Sequence, residues 1–192
     1  MENYIMINKV YYLKSDLENY SSFIQNYPDG EESIIGRAMD QRWSKFTDDY
    51  TAISLELNSN DFGRKNYKFD FSSFLSPFMV FSEDALVSLS DILSSRGQVL
   101  PVKTESKRKK FVGYDPTNSL SGCFDRKNSV YREYPNGLMI EKPVLIKNNI
   151  TDEYLFTIDE YISRIFVTDK FKQRVEDAGL TAFDFSVEIE LS

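Results

Sequence analysis

Apolar and polar positions change period several times along this chain, and two stretches stand out because capping residues bound the change. In residues 73–102 a short apolar run, Phe78-Met79-Val80-Phe81, gives way at Ser82 to a helical pattern. Ser82 stands where a helix N-cap belongs, and Glu83 and Asp84 occupy the first turn, where carboxylates suit free N–H groups and the helix dipole. Leu86, Leu89, Ile92 and Leu93 then recur at helical spacing. Gly97 falls where a left-handed residue would end the helix, and Gln98 to Val102 reads as a return strand. A weaker copy closes the sequence: Ile165-Phe166-Val167, Thr168 as cap, Asp169, an apolar stripe of Phe171, Val175 and Ala178, then Gly179.

Elsewhere the period is two. Tyr4, Ile5, Ile7, Val10, Tyr11, Tyr12 and Leu13 suit a first strand, and Ile53, Leu55 and Leu57 alternate with Ser54 and Glu56 as a strand with one buried face. Residues 14–26 are polar with scattered Tyr20, Phe23 and Ile24 and read as a loop or short helix, ended by a Pro28-Asp29-Gly30 turn. Trp43, the only tryptophan, falls at the start of an extended hairpin and is expected at the core edge. Residues 124–131 and 138–146 read as strands joined through Pro135-Asn136-Gly137, and Tyr154, Phe156 and Ile158 continue the sheet. The last segment alternates most cleanly, with Phe183, Phe185, Val187, Ile189 and Leu191 on one face and Asp184, Ser186, Glu188 and Glu190 on the other. Many strands and few helices predict an α+β fold. It is expected as a single domain over residues 1–192 with a largely antiparallel, curved sheet and two similar strand-helix-strand units.

Composition narrows the chemistry. The 192 residues include no histidine, which removes Ser-His and Cys-His dyads, the commonest zinc ligand and the usual proton shuttle near neutral pH. Cys123 has no partner for an internal disulfide and reads as a small buried hydrophobe. Residues 31–35 between Gly30 and Gly36, followed by Arg37, fail the phosphate-loop pattern, so these glycines read as turn residues. The Asn58-to-Gly63 loop fails as a calcium loop, because Phe62 and Phe69 stand where ligands belong. No cofactor or metal is expected. No window approaches the roughly 18 apolar residues of a membrane span, and Met1-Glu2-Asn3-Tyr4 opens no secretory signal, so a cytoplasmic location without membrane contact is expected.

The net charge of -7 is unevenly spread. Residues 104–147 carry nine cations against five carboxylates, residues 148–192 four against ten. Acidic ends disfavour nucleic acid as a partner and favour a basic protein. The one basic run, Lys107-Arg108-Lys109-Lys110, reads as a solvated hairpin tip, with phosphate or an acidic partner as the functional alternative.

Ser76-Pro77-Phe78-Met79-Val80-Phe81-Ser82 with its helix, Gly97 to Val102, and Ile165-to-Asp169 continuing through Ala178-Gly179-Leu180-Thr181-Ala182-Phe183 resemble the signature of bacterial immunity proteins of polymorphic toxin systems, most closely the family numbered eleven. The likeness covers roughly residues 70–192 and leaves residues 1–70 largely unmatched. Members often carry a second glycine where this chain has Ala182, so the turn after Gly179 is expected to differ here. The resemblance implies a protein without catalytic activity that binds and neutralises one cognate toxin domain, and it supplies no catalytic residues to carry over.

A toxin that acts on nucleic acid or nucleotides presents a basic cleft, which an acidic surface would complement. The expected toxin-facing residues are therefore Asp184, Glu188 and Glu190, joined by Asp159 and Glu160. Two other readings stay open. One is a histidine-free hydrolase using carboxylates from Asp48-Asp49, Asp152-Glu153 or Asp159-Glu160, although neighbours on a strand point to opposite faces. The other is a structural or adaptor module assembled through an apolar sheet edge.

Overall fold

The computed structural model describes residues 7–27 and 30–192. Tyr4, Ile5 and the Pro28-Asp29 half of the turn lie outside the described residues, while Gly30 has the positive φ (72°) that a turn glycine supplies. The fold is α+β. Its strands are β1 (Val10–Tyr12), β2 (Lys14–Ser15), β3 (Ser22–Asn26), β4 (Ile53–Asn58), β5 (Phe71–Ser72), β6 (Met79–Ser82), β7 (Gly97–Leu100), β8 (Val102–Lys103) and β9 (Phe111–Pro116). They continue as β10 (Val130–Tyr134), β11 (Gly137–Lys142), β12 (Val144–Leu145), β13 (Leu155–Phe156), β14 (Phe166–Thr168), β15 (Phe183–Asp184) and β16 (Glu188–Leu191). The helices are α1 (Ile34–Gln41), α2 (Glu83–Ser88), α3 (Ser90–Leu93) and α4 (Asp169–Asp177). Among the described residues the strands divide among several short sheets, with orders β12-β16-β1-β14-β13, β5-β6-β9-β7, β3-β4-β8, β10-β11 and β15-β2. Most pairings are antiparallel; β4–β8 and β12–β16 are parallel.

The two units read from the sequence share an arrangement. In the first, β6 and β7 both pair antiparallel with β9. In the second, β14 and β15 both pair antiparallel with the segment that carries β1 and β2. Their helices face each other across one core, where Ala85, Leu89, Ile92 and Leu93 meet Phe171 and Val175. Arg174 bridges the outer edge with two hydrogen bonds to Asp91 at 2.8 and 2.9 Å.

Ser82 caps α2 as its position predicts, its Oγ accepting from the Ala85 N–H at 3.1 Å. The same hydroxyl donates to Asp70 Oδ1 at 2.8 Å. Asp70 is 8% exposed and also takes the Lys109 ammonium at 2.7 Å on Oδ1, with the Thr181 N–H and hydroxyl at 2.9 and 3.0 Å on Oδ2. Burial pushes this carboxyl up, but Lys109, the Thr181 N–H and Ser82 together outweigh it and hold its pKa below the usual 3.8.

Several expectations are corrected. Gly97 opens β7 and is not left-handed; a side chain there would run into the Tyr114 ring and come within 2.7 Å of the Asp115 carbonyl, so close packing is what demands glycine. Thr168 holds the cap position of α4, but its hydroxyl donates to the Glu153 carbonyl at 2.8 Å and caps nothing. Ala178 is exposed, while Phe171 and Val175 are buried. Residues 14–26 form β2 and β3, recruited by partners far along the chain at residues 183–184 and 54–58. The segment after Gly30 forms α1, with Gly36 inside it and Ile34 and Ala38 buried one turn apart. Trp43 therefore follows a helix and begins no hairpin, although it is buried as expected, its indole N–H donating to the Ile158 carbonyl at 3.1 Å. Cys123 is buried, and its thiol is pushed up to about 11, mainly by burial, so it stays an unreactive thiol.

Gly179 is left-handed (φ 64°), and the Leu180 N–H returns to the Val175 carbonyl at 3.1 Å, closing α4 as predicted. Ala182 has φ 72°, a conformation that glycine enters freely and an L-residue enters at a cost of about 1–2 kcal/mol.

Two measurements follow from this geometry. Asp70→Ala should lower unfolding free energy in urea by about 3 kcal/mol, because four donors lose one buried acceptor, against about 1 kcal/mol for Ser82→Ala. Since the folded carboxyl titrates below the unfolded one, the Asp70 contribution is present above pH 3.8 and fades as pH falls further, so the gap between Asp70→Ala and wild type should narrow in acid while the Ser82→Ala gap, which rests on the helix cap, persists. Ala182→Gly should leave stability unchanged or raise it by up to about 1 kcal/mol; a loss of that size would contradict strain at this residue.

Candidate functional site

β10 and β11 form a two-stranded hairpin paired with no other strand among the described residues. Its register runs from Tyr131↔Ile140 to Tyr134↔Gly137, with a bulge beside Val130. Pro135 and Asn136 turn the chain, and Gly137 adopts φ 141°. Alternation then sorts the side chains. Tyr131, Leu138 and Ile140 pack onto the core with Phe124, whose ring meets Tyr131 edge-on at 5.5 Å. Val130, Tyr134 and Met139 are left 49%, 52% and 43% exposed, interspersed with Arg132 and Glu141.

Clefts flank this hairpin on two sides. One, of about 400 Å³, is lined by Glu141 and Lys142 of β11 and by Glu188 and Glu190 of β16, with Tyr12 beside them. The other, of about 330 Å³, is lined by the hairpin tip Asn136-Gly137-Leu138, by Asp159 and Glu160, and by Arg42 and Arg126. Four of the five acidic residues expected to face a partner therefore border one hairpin. The fifth does not. The alternation of residues 183–191 is broken into β15, which pairs with β2, and β16, which pairs with β1 and β12. Between them the Ser186 N–H turns back onto Asp184 Oδ1 at 2.7 Å, so Asp184 stands on a different sheet from Glu188 and Glu190.

Four of these five acids have a partner within the chain. Asp184 meets Lys14 at 2.9 Å, Glu188 meets Lys9 at 2.8 Å and Glu190 meets Lys142 at 2.6 Å, while Asp159 accepts from the Ser119 hydroxyl at 2.6 Å. For Asp184, burial pushes the carboxyl up, and Ser186 and Lys14 outweigh it to leave a net depression. The Glu188 and Glu190 pairs are about half exposed on both sides. Such pairs contribute about 0–1 kcal/mol, so an arriving cation can replace the lysine at little cost. Sequence reasoning located these carboxylates but not the hairpin's apolar row. Its signal was the placing of Val130, Tyr134 and Met139 where a solvated strand face would carry polar residues.

The acidic pairs weighed for hydrolysis are held apart. Asp152 binds Lys170 at 2.5 Å and Glu153 binds Arg96 at 2.8 Å, while Asp49 accepts from Thr47 at 2.6 Å. Among the described residues the carboxyl with a raised pKa is Asp115 in β9, 1% exposed, with both oxygens lacking a hydrogen-bond partner. Desolvation alone pushes it up to about 7. It lines neither flanking cleft. Among the described residues no group of three or more acidic or thiol side chains gathers for a metal, and no helix is long and apolar enough to cross a membrane.

Compared with known proteins, no family model and no curated protein matches this chain.

Asp115 gives a pH dependence with a defined sign. Its folded pKa lies above its unfolded one, so the cost of ionising it is absent below about pH 4 and complete above about pH 7. Asp115→Asn should therefore unfold later than wild type at pH 8, by on the order of 3 kcal/mol, and the gap should close by pH 4. A constant gap across that range would mean that the carboxyl ionises at the same pH in the folded and unfolded chain, so that burial does not raise its pKa.

Proposed function

We propose that this protein is an immunity protein: a cytoplasmic, non-catalytic inhibitor that neutralises a cognate bacterial toxin domain by stoichiometric binding. The observation that carries the reading is the β10–β11 hairpin, which exposes Val130, Tyr134 and Met139 between clefts edged by Glu188 and Glu190 on one side and Asp159 and Glu160 on the other. Apolar and aromatic anchors surrounded by charge are the anatomy of a protein-binding surface, in which the anchors supply most of the affinity and the charges steer and select. The acidic rim suits a basic partner surface, as a nuclease-like or nucleotide-directed toxin cleft would present.

The left-handed Ala182 adds support from another direction. The immunity family that this chain resembles often carries glycine at that position, and a φ of 72° is a conformation that glycine enters freely.

Co-expression with the product of the adjacent upstream gene tests the reading directly. A 1:1 complex that co-purifies and restores growth is the expected result; a toxic product that neither binds nor is neutralised would refute it. Within such a complex, reversing Glu188, Glu190, Asp159 and Glu160 to Lys should weaken affinity at least about tenfold at low salt, while Asp184→Lys should leave it unchanged. Unchanged affinity after reversal of the four would remove the hairpin from the interface.

A further inference from the structure

The basic run at residues 107–110 lies away from the hairpin surface. It forms one wall of a cavity of about 760 Å³, larger than either hairpin cleft. Ser106 Oγ donates to the Lys109 carbonyl at 2.5 Å and closes the loop on itself, and the Lys109 ammonium holds the loop to Asp70. Lys107 and Arg108 sit on this anchored tip, and Lys68 lines the opposite segment. Lys68, Lys107 and Arg108 form no ion pair among the described residues, although the chain carries 30 carboxylates against 23 cations. The lining holds four cations, Lys68, Lys107, Arg108 and Lys109, and two carboxylates; Asp70 is paired with Lys109, which leaves three cations against Glu105. Free cations held together in a chain of net charge -7 mark a place where an anion is expected.

The rest of the lining decides which anion. Tyr67 is half-buried, its ring backed by Phe23 and Phe111 at 6.1 and 6.2 Å, and it offers a fixed aromatic surface to the cavity. Asn66 spends its side-chain oxygen on the Lys68 N–H at 2.9 Å, which orients its amide and leaves the NH₂ group without a protein partner among the described residues. Cations for phosphate, a ring for stacking and an amide for a base edge line one cavity. The volume falls within the range of about 300–1,000 Å³ that small-ligand sites occupy.

We infer that this cavity binds a nucleoside phosphate, with Lys68, Lys107 and Arg108 on the phosphates and Tyr67 against the base. The site shares no residue with the hairpin surface and stands whether or not that surface binds a toxin.

Isothermal titration of the full chain with ADP, pyrophosphate and adenosine at low salt tests it. ADP should saturate at a 1:1 ratio and bind more tightly than pyrophosphate or adenosine. A Lys107→Glu/Arg108→Glu double variant should weaken ADP at least about tenfold, with folding checked by circular dichroism. Tyr67→Leu should weaken ADP while leaving pyrophosphate unchanged, a split that loss of packing alone would not produce. No saturable ADP binding up to about 1 mM, or pyrophosphate binding as tightly as ADP, would overturn the proposal.

Discussion

The carboxylate of Asp70 is the point at which separate parts of this molecule are tied together. One oxygen takes the hydroxyl that caps α2 and the ammonium of the basic loop; the other takes the backbone and side chain of Thr181 beyond α4. The Asp70 carbonyl accepts the Ser82 N–H at 2.9 Å, which sets the pairing of β5 with β6. A charge this far from water is tolerated only when its acceptor sites are filled, and here the four donors come from three different stretches of chain. The two repeated units, the loop between β8 and β9 and the β5 edge thus share one electrostatic requirement.

Local chemistry was legible in the sequence where it stayed local. Ser82 caps α2 because the N-cap needs a hydroxyl one turn before Ala85, and Gly179 ends α4 because a left-handed residue is wanted there. Readings failed where a distant partner redirected a residue. The Thr168 hydroxyl was drawn to the Glu153 carbonyl, and the polar 14–26 segment became strand because β15 and β4 offered it ladders. The alternation of residues 183–191 was genuine, but the strand changes partners midway, which no periodicity records. Helix α1 escaped notice because its buried stripe is only Ile34 and Ala38 around a glycine. Of the acidic row, residue type was readable; that four members would meet at one hairpin depended on tertiary placement.

Charge is segregated by how it is paired. Around the hairpin each β16 carboxylate carries a lysine, whereas around the 760 Å³ cavity the cations at positions 68, 107 and 108 have no ion-pair partner among the described residues. The lysine-paired β16 carboxylates are quiet at long range and become selective on contact; an unpaired basic pocket attracts from a distance and is the more sensitive to salt. Two surfaces of opposite sign with different reach can engage different ligands without competing.

The order β12-β16-β1-β14-β13 puts β1, made early, between β14 and β16, made more than 150 residues later. During synthesis at about 5–20 residues per second the apolar side chains of β1 wait on the order of ten seconds or longer for either neighbour. Nascent chains of this protein therefore depend on keeping Val10 and Tyr11 shielded until residues 166–191 emerge, and folding of the central sheet is confined to the period after nearly all of residues 1–192 have been made.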